Sequence, residues 1–127
     1  MASPPTSDAV QAYALCIITL FVKFFVTARF QGAAKYRVGG RAPEDASFGP
    51  ILGKPRTSQY LGVNADPKDE RMLKLRALEQ RWDRILMNDL ETLPFALFVF
   101  GAALLLECDG PLLTASMVVF TLSRFVY

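Results

Sequence analysis

The sequence contains no histidine, which removes both the commonest general base and the commonest metal ligand. Its two cysteines, Cys16 and Cys108, stand far apart without a CxxC partner. Neither a disulfide framework nor a metal site is expected from them, and each reads as a packing residue. Net charge is only +2, so charge gives no sign of a nucleic-acid partner. The eight residues before the first apolar run carry no basic side chain, and no short apolar core with a clear cleavage site follows, so that run is not laid out as a secretory signal peptide. No internal repeat is present.

Apolar residues, by contrast, are abundant. They make up 52% of 127 residues, with a mean hydropathy of +0.26, well above a typical soluble domain. The length suits one domain, read as residues 1–127. Three apolar spans are predicted, at about 9–30, 86–106 and 111–127, and a span of about 20 residues crosses a hydrocarbon core of roughly 30 Å. The fold class expected is an all-α membrane protein, an antiparallel bundle of transmembrane helices. Glu107-Cys-Asp-Gly-Pro111 reads as the tight turn of a helical hairpin between the second and third spans.

Between the first and second spans, residues 31–85 form a polar connection. Glycine and proline interrupt it until about Asp66, and the residues from Pro67 onward are strong helix formers. They predict an extension of the second helix beyond the membrane, starting at Asp66-Pro67. Eleven of the 14 Lys and Arg residues fall in this connection, which places it in the cytosol by the positive-inside rule. Arg81, Arg84 and Arg124 then lie near one membrane face.

The second span opens with charge. At 100° per residue, Arg81, Arg84, Asn88 and Glu91 fall within an arc of about 80° on one helix face. A polar stripe entering an apolar span is costly against lipid and must face protein, water or a bound polar ligand. A ligand site is the sharper reading, and hydrogen bonding that only holds helices together is the plainer one. Asp89 points about 100° away from Asn88 and reads as a cap or a partner for a neighbouring helix. Lys23 lies mid-span, where a lysine either snorkels to the headgroups or pairs with an acid. Arg29, near the end of its span, snorkels. Pro94 removes a helical hydrogen bond beside the stripe and is expected to bend the helix.

The pattern Arg81-x2-Arg84-x3-Asn88-Asp89-x-Glu91-x2-Pro94-Phe95 resembles the second-helix signature of the MAPEG family, the membrane-associated proteins in eicosanoid and glutathione metabolism. Upstream, Ala42-Pro-Glu-Asp-Ala-Ser-Phe-Gly49 is similar to the Asn-Pro-Glu-Asp loop of its microsomal glutathione transferase branch. Downstream, Leu122-Ser-Arg-Phe-Val-Tyr127 resembles the third helix, where an arginine precedes His or Tyr by three residues. The family has four spanning helices and this sequence stops within the third, so it reads as a truncated member.

The resemblance implies a multi-pass homotrimer in the endoplasmic reticulum, with the mitochondrial outer membrane as the other site. Glutathione is the implied cosubstrate, bound between subunits near the cytosolic face. The implied activity is conjugation of its thiolate to lipophilic electrophiles, or reduction of lipid hydroperoxides. Arg84, with Arg81 or Lys35, would bind a carboxylate through charge-assisted hydrogen bonds. Glu91 would take the ammonium, Asn88 an amide or carboxylate, and Tyr127 would line the same site. Arg124 would carry the catalytic role, because a nearby cation favours the nucleophilic thiolate. The alternative is a non-catalytic membrane protein of the same architecture that binds lipid or regulates full-length relatives.

Overall fold

The structure is a computed structural model that describes residues 7–51, 53, 58–59 and 69–126, leaving out the side chains of residues 7 and 48. All regular structure among these residues is helical. Helix α1 is Ser7–Arg37, a 3-10 turn is Pro43–Ser47, α2 is Phe48–Ile51, α3 is Glu70–Leu105 and α4 is Gly110–Val126. Helices α1 and α3 are long and apolar enough to cross a membrane, and α4 is a shorter apolar helix. Their outward faces carry large apolar side chains such as Leu15, Phe21, Phe98 and Val119, each more than half exposed. The result is an all-α protein with two helices fit to cross a membrane and a third, shorter apolar helix.

Several boundaries differ from those expected. Helix α1 runs seven residues past Phe30, because Gln31-Gly-Ala-Ala-Lys-Tyr-Arg37 holds no proline and its single glycine is tolerated inside a helix. Lys35 is therefore a helical residue, not a loop residue. The interrupted connection contains the 3-10 turn and the one-turn α2. Helix α3 begins at Glu70, where Asp69 is the cap. Its carboxylate accepts the backbone N–H groups of Arg71 (2.9 Å) and Met72 (3.3 Å), satisfying two of the orphan donors of the first turn. The expected start at Asp66-Pro67 lies outside the described residues. Cys108 is exposed while Cys16 is buried, so only Cys16 packs; Cys108 stands in the turn between α3 and α4 and has no helix face to join.

The helix ends share one device. At the end of α1, Gly40 N–H bonds the Lys35 carbonyl at 2.9 Å and Gly39 N–H the Tyr36 carbonyl at 3.2 Å. At the end of α3, Cys108 N–H bonds Ala103 at 3.1 Å and Glu107 N–H bonds Leu104 at 3.2 Å. Both are Schellman motifs. Gly39 takes the left-handed position in the first (φ 72°), but a glutamate, Glu107, takes it in the second (φ 53°). Asp109 follows at once, its carbonyl accepting Leu113 N–H at 2.9 Å to start α4.

The chain divides into two compact units, Met1–Val26 with Met87–Tyr127, and Thr27–Leu86. In the first, Cys16, Leu113 and Met117 form a buried cluster covered by Ala12, Tyr13, Phe100, Ala103 and Leu104. Phe100 and Phe120 meet edge to face at 5.6 Å, a favoured geometry for aromatic pairs. Residues earlier in α3 meet residues later in α4, so the hairpin is antiparallel. The Tyr13 hydroxyl donates to the Leu97 carbonyl at 2.9 Å, and the close approach needs Gly101, where an added Cβ would stand 2.9 Å from that hydroxyl.

The second unit is held by a few side chains. Phe30 of α1 stacks on Trp82 of α3 with ring centroids 5.1 Å apart, and the Gln31 amide donates to the Asp83 carboxylate at 3.2 Å. Gln59, almost wholly buried, donates to the Tyr36 carbonyl at 3.0 Å and accepts Arg41 N–H at 3.1 Å. One amide thus ties the last turn of α1 to the segment after it. The Arg41 side chain crosses α1 at Gly32, where an added Cβ would stand 2.6 Å from its Nη2.

Candidate functional site

A lysine or aspartate in a membrane-spanning helix needs a partner, and in the first unit each of these two has the other. Lys23 of α1 donates to the Asp89 carboxylate of α3, with side-chain exposures of 11% and 2%. Lys23 therefore pairs and does not snorkel, and Asp89 joins the neighbouring helix. Beside the pair lies a groove of about 250 Å³ with apolar walls that include Leu20 and Phe24 of α1 and Leu93 and Pro94 of α3. Pro94 stands inside α3 and, lacking an N–H, leaves the Leu90 carbonyl without its helical donor.

The polar stripe occupies the other side of α3. Asp89 and Leu93 are the buried residues of this helix, and Glu91 lies about 200° around from Asp89. Glu91 is exposed on the side of α3 away from Asp89, whereas Asn88, 100° from Asp89, is half-buried. The Thr92 hydroxyl lies 2.5 Å from the Asn88 carbonyl oxygen and 3.3 Å from its side-chain Oδ1.

Arg124 ends the same unit. It is half-buried on α4 with its guanidinium 5.3 Å from the centre of the Phe120 ring, a cation–π contact. Its Nε is buried without a hydrogen-bond partner, and so is the hydroxyl of Thr121 one turn earlier. Unpaired buried donors are rare and costly. Ser116 and Ser123 instead donate to carbonyls of their own helix, at 2.8 and 2.6 Å. Among Asn88, Glu91 and Arg124, no hydrogen bond or ion pair joins one to another.

In the second unit Arg81 and Arg84 are exposed on α3, flanking the Trp82–Phe30 stack, and Lys35 is half-buried in the last turn of α1. No hydrogen bond or ion pair joins these three to one another. Tyr127 lies outside the described residues. No group of three or more Cys, Asp or Glu fit to hold a metal ion occurs among the described residues. Sequence reasoning singled out Lys23 and Asp89 separately and missed Tyr13, Thr121 and Gln59. Tyr13 and Thr121 could have been noticed as polar groups at positions facing the core. Gln59 carried no local signal.

What these elements define is an integral membrane protein of apolar helices carrying a polar face on its second long helix. Residues 9–127, nearly the whole chain, match the MAPEG family model, and the chain belongs to the MAPEG family. That family is associated with membranes and with glutathione and eicosanoid metabolism. No curated protein and no solved structure matches the chain.

Proposed function

We propose that this chain binds glutathione through the outward polar face of α3 and presents its thiolate to lipophilic electrophiles or lipid hydroperoxides. The observation that carries the reading is the exposure of Glu91 on the side of α3 opposite Asp89, with the half-buried Asn88 one turn before it. A carboxylate turned outward on a membrane helix calls for a polar partner outside the chain. Glutathione, with two carboxylates, an ammonium, two amides and a thiol, supplies complementary groups, and a second copy of the chain supplies the opposite wall. Assembly as a homotrimer and residence in the endoplasmic reticulum belong to the same proposal, as does the microsomal glutathione transferase branch.

In this reading Arg84, with Arg81 and Lys35, binds the carboxylates, and Glu91 binds the ammonium. Asn88 donates its NH₂ to a carboxylate or carbonyl oxygen, and Tyr127 lines the site. Arg124 stabilises the thiolate, since a nearby cation favours the ionised thiol. In conjugation, the sulfur bonds the electrophilic carbon and the leaving group departs with its electron pair. In hydroperoxide reduction, the thiolate attacks the terminal oxygen, the O–O bond breaks, and the alcohol leaves with a proton. A second glutathione then converts the sulfenic product to disulfide and water.

The test is glutathione binding to the purified chain in detergent, followed by thiolate absorbance. The expected result is a thiolate signal that is lost in Arg124→Ala and weakened in Glu91→Gln. Indifference of binding to both substitutions overturns the site. Absence of binding by well-folded protein favours the non-catalytic reading, a membrane protein that binds lipid or other members of its family.

A further inference from the structure

Helix α3 is apolar around its whole circumference from Leu93 to Leu105, apart from its backbone. Leu90, Phe95, Phe98 and Val99 face outward and are about half exposed or more, while Leu93 faces inward. In lipid, apolar patterning does not select which of these faces meets α1, because lipid tails are as apolar as leucine. Something polar must choose the rotation of the helix. Two contacts on one side of α3 in the first unit can do so: the Lys23–Asp89 ion pair and the Tyr13 hydroxyl on the Leu97 carbonyl. The second is a contact to backbone. Only the first reads the identity of an α3 side chain, and buried ion pairs are best attested as devices of register.

We propose that the Lys23–Asp89 pair sets the rotation of α3 about its own axis and thereby aims Asn88 and Glu91 outward at the ligand face. Asp89 immediately follows Asn88 and stands two residues before Glu91. A turn of one residue, 100°, would bring Leu90 toward α1 and swing both Asn88 and Glu91 by the same angle from their present directions. Lys23 and Asp89 are positioning residues that need not touch ligand. The aiming half of this inference rests on the glutathione reading above. The rotational half does not.

The experiment separates the two. In a Cys16→Ala, Cys108→Ser background, a short thiol cross-linker is applied to Leu20→Cys with Leu93→Cys, two buried positions lining the same groove. A parallel sample carries Leu20→Cys with Glu91→Cys, which face apart. With the ion pair intact, the first combination cross-links and the second does not. In Lys23→Met with Asp89→Leu this selectivity falls severalfold. In Lys23→Asp with Asp89→Lys it returns, which a general loss of folding would not do. Unchanged selectivity in the apolar double variant overturns the rotational claim.

Glutathione affinity is then measured in the same charge variants, with the native residues at 20, 91 and 93. It is expected to fall about tenfold or more in the apolar double variant, as for a displaced binding group, and to recover in the charge swap. Lost selectivity with unchanged affinity overturns the aiming claim. If the unsubstituted chain binds no glutathione, the functional reading fails, while the cross-linking still decides whether the pair fixes the rotation.

Discussion

Lys23 and Asp89 meet between α1 and α3 with both charges almost entirely withdrawn from the surface, and neither is tolerable alone. Removing one partner of a buried pair leaves an uncompensated charge and costs about 3–5 kcal/mol, whereas replacing both by apolar residues is often close to neutral. Lys23→Met and Asp89→Leu should each lower the midpoint of unfolding in mixed detergent strongly. The double variant should recover most of the loss. Equal, additive losses would mean that the two side chains do not act as a pair.

Tyr13 and Gly101 make a prediction with a change of sign. Gly101→Ala places a Cβ 2.9 Å from the Tyr13 hydroxyl and 3.5 Å from its ring carbon Cζ. It should dislodge the bond to Leu97 and cost about 1 kcal/mol or more. In a Tyr13→Phe background the hydroxyl is gone and 3.5 Å is ordinary contact. There Gly101→Ala should be neutral or stabilising, by up to about 1 kcal/mol from helix propensity. A double-mutant cycle of unfolding midpoints reads the coupling.

The two Schellman ends predict opposite responses. A non-glycine residue in the left-handed region is penalised by about 1–2 kcal/mol. Gly39→Ala should therefore destabilise the chain, and Glu107→Gly should stabilise it by a fraction of that figure after the extra chain entropy of glycine is counted. Thermal unfolding followed by circular dichroism checks both signs. A destabilising Glu107→Gly would show that the glutamate side chain contributes more than its backbone strain costs.

Gln59→Ala should loosen the end of α1. It removes the donor to the buried Tyr36 carbonyl and the acceptor for Arg41 N–H, at a cost of about 1–3 kcal/mol. The sensitive readout is limited proteolysis between Arg37 and Glu70, where cleavage should accelerate. Cleavage at the native rate would mean that the amide is dispensable.

The three apolar helices, two of them long enough to cross a membrane, and the charged opening of α3 were legible because a bilayer punishes charge severely enough to mark sequence in one dimension. Asp89 and Lys23 were visible for the same reason, but their partnership joins residues 66 positions apart, and no local pattern records it. The helix from Glu70 onward was legible in its run of strong helix formers without proline or glycine until Pro94, whereas the cap at Asp69, which bonds two N–H groups, was not singled out. The continuation of α1 to Arg37 followed from the same kind of competition, with Gly39 stopping the helix and Gly32 tolerated within it. Gln59 was invisible, since a single buried amide stapling a loop has no period and no spacing. The proposed glutathione residues came from a family pattern, and in the first unit exposure supports that pattern for Glu91 alone.

Trp82 is the sole tryptophan of the chain, and it stacks on Phe30 at an interplanar angle of 15°. The protein thus carries a built-in optical probe whose emission originates from a single place. That place adjoins Arg81 and lies two residues from Arg84. Occupancy of those guanidinium groups by an anion can be followed without any added dye, as a change in the colour and lifetime of one indole. Quenchers fixed at known positions along lipid chains would read from the same indole how deep this part of the helix sits.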